Sequence, residues 1–126
     1  MHDTDCNLLP LLDAAVLAEL REVMEDDFAD LISTFLRDAP QQFSAIQTAI
    51  IQHDASHLYQ AAHKFKSSCG SIGAARLADL IRRLELAGRQ NRLDDTVELL
   101  QHAQTIASAT FNDLQAQLEP TVGRRQ

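Results

Sequence analysis

A histidine, two lysines and a run of small side chains stand together in Ala61 to Ala74, AAHKFKSSCGSIGA. Imidazole is a nucleophile at neutral pH, and a nearby ammonium attracts phosphoryl oxygens, so this grouping suits phosphoryl chemistry if His63 faces outward. At about 100° per residue, the apolar stripe of Leu58, Ala62, Phe65, Cys69 and Ile72 is centred roughly 140° around a helix from His63. The spacing therefore predicts an imidazole that faces solvent. Tyr59, Gln60, Lys66, Ser67 and Gly70 fall within about 60° of it. On this wheel Cys69 and Ala62 let the helix approach its neighbours inside, whereas Ser67 and Gly70 leave space beside the ring outside. The competing account is a surface histidine beside an ordinary solvated lysine.

The elements that hold this segment read as helices. Only four glycines and three prolines punctuate 126 residues. Ala, Leu, Gln and Glu recur at three-to-four spacing, as helices require. Asp13 is the expected cap of a short first helix through Val16, Leu17 and Leu20, a lid on the rest. Phe28, Ile32, Phe35, Ala39, Phe43, Ile46 and Ile50 keep one apolar face across Pro40, which predicts one kinked continuous helix. Asp54 caps a third helix carrying His63, and Gly70 and Gly73 mark its expected end. A fourth runs from about Ala74 to Gly88 through Leu77, Ile81 and Leu84. Beyond the polar GRQNRLDD stretch, a fifth carries Val97, Leu100, Ala107, Phe111, Leu114 and Leu118. Pro120 and the closing TVGRRQ are expected to fray. Short connections between long amphipathic segments predict an all-α fold: an antiparallel up-and-down four-helix bundle with a short additional N-terminal helix. One domain is expected over 1–126, folded over about 8–118, with no internal repeat.

Composition narrows the function. A net charge of −7 argues against a general nucleic-acid or anionic-membrane binder. No apolar run approaches the roughly 20 residues that cross a bilayer, and MHDTDCN lacks a secretory pattern. Cys6 and Cys69 make neither a CxxC pair nor a disulfide framework, so a reducing cytoplasm is the expected setting. Cys69 reads as a core thiol. His53 and His57 have the i,i+4 spacing of a metal pair, but His53 precedes the Asp54 cap and no third ligand is evident; no metal site is expected. Arg82, Arg83, Arg89 and Arg92 make a locally basic stretch, suited to an acidic partner surface or simply solvated.

The residues HKFKSSCGSIGA resemble the signature of histidine-containing phosphotransfer domains: His, any residue, an aliphatic or aromatic residue, Lys, Gly, two small residues, a variable step, then a hydrophobe and Gly. His63, Phe65, Lys66, Ser68, Cys69, Ile72, Gly73 and Ala74 carry the match. The stretches DDFADLISTFLRDAPQQFSAIQTAI and LADLIRRLELAGRQNRLDD look like the flanking helices of that family. The resemblance implies a phosphorelay intermediate of two-component signalling, free-standing or at the C-terminus of a hybrid sensor kinase. His63 would take a phosphoryl group from one receiver aspartate and yield it to another. It implies no cofactor of the chain's own, the receiver supplying Mg²⁺, and no nucleotide site. It implies receiver domains of response regulators or of a hybrid kinase as partners. Because the apolar stripes are used up within one bundle, a monomer is the expected state, with no direct membrane insertion.

Lys66, Ser67 and Glu85 are the expected phosphoryl-stabilising or orienting residues; Tyr59, Gln60, Gly70 and Arg89 are the expected docking residues. A hairpin turning near Ser71 to Ala74 sets His63 across from Arg82 to Glu85, where the Glu85 carboxylate can accept a hydrogen bond from Nδ1 and leave Nε2 to attack. The bland reading of Glu85 and Arg89 is an i,i+4 surface pair. Ser67 departs from the family, which usually has Gly there. Its hydroxymethyl narrows the opening, though its hydroxyl is placed to donate to a phosphoryl oxygen. Other readings are a kinase dimerisation hairpin, which usually has an acidic residue where Lys64 stands, the phosphoacceptor module of a chemotaxis-type kinase, and a helical adaptor without chemistry.

Overall fold

The computed structural model describes residues 8–118, so Cys6, the MHDTDCN segment, Pro120 and TVGRRQ lie outside the described residues. Among the described residues five α-helices follow one another: α1 (Ala14–Met24), α2 (Phe28–Ile51), α3 (Ala55–Ser71), α4 (Ala75–Arg89) and α5 (Thr96–Leu118), with a 3₁₀ turn, Glu25–Asp27, before α2. Among the described residues there is no strand. Helices α2 to α5 each pack on the next, and α2 also packs on α5, which closes a four-helix bundle. The connections at 52–54, 72–74 and 90–95 are too short to cross the bundle, so neighbours run antiparallel.

Local chemistry explains where each helix begins and stops. Asp13 accepts hydrogen bonds from the backbone of Ala15 and Val16, and Asp54 accepts one from His57. Each satisfies donors that the first turn leaves orphaned. Helix α2 runs unbroken through Pro40, its apolar face intact on both sides. Helix α3 includes Gly70 and ends later than that glycine suggests. Its stop is Gly73, at φ +83°, where Gly73 and Ala74 donate to the carbonyls of Gly70 and Cys69. The same paired bonds close α2 around His53 and α4 around Asn91, both at positive φ. His53 is thus part of a left-handed turn outside any helix. Its spacing to His57 does not put the two imidazoles on one helical face. Among the described residues no group of three or more His, Cys, Asp or Glu side chains comes together.

The core is aliphatic with a small aromatic centre. Ile32, Ile46, Leu58, Phe65, Leu77, Leu80, Ile81, Leu84 and Leu114 are fully buried. Phe65 stacks near Phe35 and meets Phe43 edge-on at 5.0 Å between centroids. Cys69 is fully buried, and burial pushes its thiol pKa up, so it is an inert core residue. Val97 corrects the stripe expected for α5: it is 54% exposed. The buried face instead runs Thr96, Leu100, Ala103, Ala107, Thr110 and Leu114. The two threonines are compatible with burial because their hydroxyls donate to the carbonyls of Leu93 and Ile106.

Helix α1 lies over the α3–α4 turn. Asp13 N–H donates to the Gly73 carbonyl at 2.7 Å, and the Arg76 backbone and guanidinium donate to the carbonyls of Pro10 and Leu9. Leu17 is its buried anchor. No helix of the described residues is long and apolar enough to cross a membrane.

Candidate functional site

Helices α3 and α4 form the tightest pair, and the reason is a missing side chain. A Cβ on Gly88 would stand 2.6 Å from the Tyr59 nitrogen, 2.8 Å from the Ala55 carbonyl oxygen and 3.0 Å from the Tyr59 Cα. Only glycine admits that approach. The hairpin register then pairs Tyr59 with Arg89 and His63 with Glu85, each one helical turn along. This signal was available in the sequence, since Gly88 follows Glu85 by three residues on the buried side of α4, but glycine near a helix end reads first as a terminator.

The centre of the site is Glu85. His63 Nδ1 and Lys66 Nζ each lie 2.7 Å from one of its two carboxylate oxygens. The carboxylate is nearly buried, with 6% of the side chain exposed, whereas the His63 side chain is 54% exposed and that of Lys66 32%. Burial alone would push the Glu85 pKa up. The hydrogen bonds from Lys66 and His63, with their charges, outweigh it and hold the carboxyl below its ordinary value. Glu85 is therefore a carboxylate at neutral pH, an acceptor for two donors. A neutral imidazole that donates from Nδ1 keeps its lone pair on Nε2.

The other expected residues divide between those that touch this pair and those that only share its helix. Tyr59 stacks on the His63 ring, with centroids 5.8 Å apart and planes 23° from parallel. The Arg89 guanidinium stands 5.6 Å from the Tyr59 ring centre. Gln60 and Gly70 are exposed on the same helix, and a Cβ at Gly70 would meet nothing within 4 Å. The Ser67 hydroxyl donates to the His63 carbonyl at 3.1 Å. It is turned along its own helix, so the expected donor to a phosphoryl group is engaged with backbone. Lys66 is likewise bonded to Glu85 instead of standing as an isolated charge. A hollow of about 230 Å³ lined by Lys66, Arg82, Glu85, Leu86 and Arg89 lies on the α4 side. Of the basic stretch, Arg82 and Arg83 both pair with Asp79, at 2.9 and 3.2 Å.

Comparison with known proteins follows the same lines. The family model for the Hpt domain matches residues 30–119. A search of curated proteins finds no match. Among solved structures, the crystal structure of histidine-containing phosphotransfer protein B (HptB) from Pseudomonas aeruginosa PAO1 is similar, with a TM-score of 0.84 and 30% sequence identity over 86% of this chain and 95% of that one.

Proposed function

The chain belongs to the histidine-containing phosphotransfer (Hpt) domain family, and on that premise we propose that His63 is its phosphoacceptor in a two-component phosphorelay. The observation that carries the assignment is the 2.7 Å contact between His63 Nδ1 and a buried carboxylate, with the His63 side chain itself 54% exposed. That contact selects the Nδ1–H form and points the Nε2 lone pair at an incoming phosphorus.

In the forward step Nε2 forms a bond to phosphorus as the bond from phosphorus to a receiver aspartate oxygen breaks, and that oxygen leaves as carboxylate. The ring keeps its Nδ1 proton and becomes cationic. Glu85, held ionised, balances that charge without taking the proton. Transfer to a second receiver reverses each change. Lys66 remains close enough to Glu85 to neutralise it in the resting state and to turn toward phosphoryl oxygens when they arrive. Mg²⁺ bound by the receiver supplies charge compensation on the aspartate side of the loose transition state. The chain acts as a carrier in this reading, needs no nucleotide site, and works as a cytoplasmic monomer or as part of a membrane-anchored hybrid kinase. Gln60, Gly70 and Arg89 belong to the receiver-facing surface.

The test is transfer of ³²P from receiver domains charged on their aspartate. Wild-type protein is expected to take the label from at least one receiver of the source organism and pass it to another, and His63→Gln to take none. Label on His63→Gln, or binding of receivers without any labelling of wild type, overturns the assignment; the latter outcome describes an adaptor.

A further inference from the structure

Tyr59 belongs among docking residues by its place on the helix, yet its ring is spent inside the site. It faces the imidazole at 5.8 Å and the Arg89 guanidinium at 5.6 Å, within the ranges of aromatic stacking and cation–π contact. Its backbone is held where the two helices touch, because Gly88 sits directly against the Tyr59 nitrogen and Cα. The platform is thus fixed from behind by the fold and from the side by Arg89.

A ring held by one hydrogen bond is pinned at one atom. His63 meets Glu85 only through Nδ1, and it can still swing its plane about that contact. In-line attack is sensitive to such swings, because the lone pair must stay aimed at phosphorus. A second contact on the ring face removes that freedom. We propose that Tyr59 is a positioning residue for phosphoryl transfer: its ring, steadied by Arg89, fixes the plane of the His63 imidazole so that Nε2 is presented in one direction. The inference rests on the reading of His63 as acceptor. The contact uses the ring face and not the phenolic oxygen, so phenylalanine is able to replace tyrosine and an aliphatic residue is not.

Four proteins test this: wild type, Tyr59→Phe, Tyr59→Leu, and Arg89→Ala, which removes the guanidinium that steadies the Tyr59 ring. The rate of label uptake from a charged receiver is measured beside the NMR relaxation of the ¹³C-labelled His63 imidazole in the unphosphorylated protein and the thermal midpoint. Tyr59→Phe is expected to stay within about twofold of wild type. Tyr59→Leu is expected to lose about threefold to tenfold in rate, the range that an aromatic pair supports, and Arg89→Ala a smaller part of that. In Tyr59→Leu the His63 ring should also relax as a more mobile imidazole, while the Nδ1–H form that Glu85 selects is kept. Wild-type ring relaxation of His63 in Tyr59→Leu overturns the proposal whatever the rate does, as does a Phe variant as impaired as Leu. If wild type takes no label, the acceptor reading fails instead, and the ring relaxation still decides whether Tyr59 orients the ring.

Discussion

The carboxylate of Glu85 meets His63 on one oxygen and Lys66 on the other, so removing it disturbs the acceptor and its cation together. Glu85→Ala takes a charge-assisted hydrogen bond from Nδ1 and leaves Lys66 without its anion. A bond of that kind contributes about 1.5–3 kcal/mol, and losing it from the cationic phosphorylated ring predicts a transfer rate down by about tenfold or more. Glu85→Gln keeps an acceptor but no charge and should lie between. The pH dependence has a definite sign. A carboxyl whose pKa is lowered on folding stabilises the fold fully above its unfolded value, near 4.5, and loses that contribution as pH falls through the lower folded value. The stability gap between wild type and Glu85→Gln, followed by urea unfolding, should therefore be constant near neutrality and close in acid below about pH 4.5. Ser67 makes a contrasting case. Its hydroxyl is bonded to the His63 carbonyl, so Ser67→Gly removes only bulk beside the ring and should keep or raise the transfer rate; a tenfold loss would show a direct role for the hydroxyl. The facing of His63 and Glu85 was legible from helical phase and hairpin register. The state of the Ser67 hydroxyl was not, because bonding to the carbonyl four residues back is a choice of rotamer that leaves no trace in spacing.

At the scale of elements, the α3–α4 pair sets the distance across which His63 and Glu85 meet. Gly88→Ala would force a methyl to within 3 Å of the Tyr59 backbone, where nothing flexible is available to give way. The helices must part, and the 2.7 Å contact must lengthen. This variant should lose about 1–3 kcal/mol of stability, the usual cost of overpacking, and should slow transfer although it touches no reacting atom; differential scanning calorimetry and label uptake on the same preparation check both. Amphipathic phase is enough to place the five helices of the described residues, and α2 keeps its phase across Pro40 as its stripe indicates. Phase was less informative where small or polar residues are buried. Val97 ranks as core by hydropathy, yet Thr96 takes the inner position because its hydroxyl is satisfied locally. Gly70 and Gly73 look alike as helix breakers. Only Gly73 has the left-handed backbone that ends α3, and a Cβ there would also press on Val16 at 3.2 Å.

The whole molecule separates the duties of holding and reacting between opposite faces of α3. Phe65 stands two residues from His63 but points into the centre of the bundle against Phe35 and Phe43. Phe65→Ala should cost about 3–5 kcal/mol, a large fraction of the roughly 5–15 kcal/mol that a domain of this size possesses, and the remaining folded protein should still carry its acceptor intact. Loss of rate in proportion to the folded fraction, measured across a urea series, is the expected result; a specific loss in fully folded protein would show that the core feeds directly into the site. The composition made a helical bundle and an acidic surface legible, and the motif brought the acceptor with it. It gave no measure of how closely two helices approach, which depends on Gly88. Glu85 holds Nδ1 and leaves Nε2 to react, so the position of the phosphoryl group on the ring reports whether the site works as proposed. In ¹⁵N-labelled protein phosphorylated by a charged receiver, ¹⁵N and ³¹P spectra should show phosphorus bonded to His63 Nε2 with a proton kept on Nδ1. Phosphorus on Nδ1 would mean that Glu85 does not reserve Nδ1 for its own hydrogen bond, and phosphorus on any residue other than His63 would mean that His63 is not the acceptor.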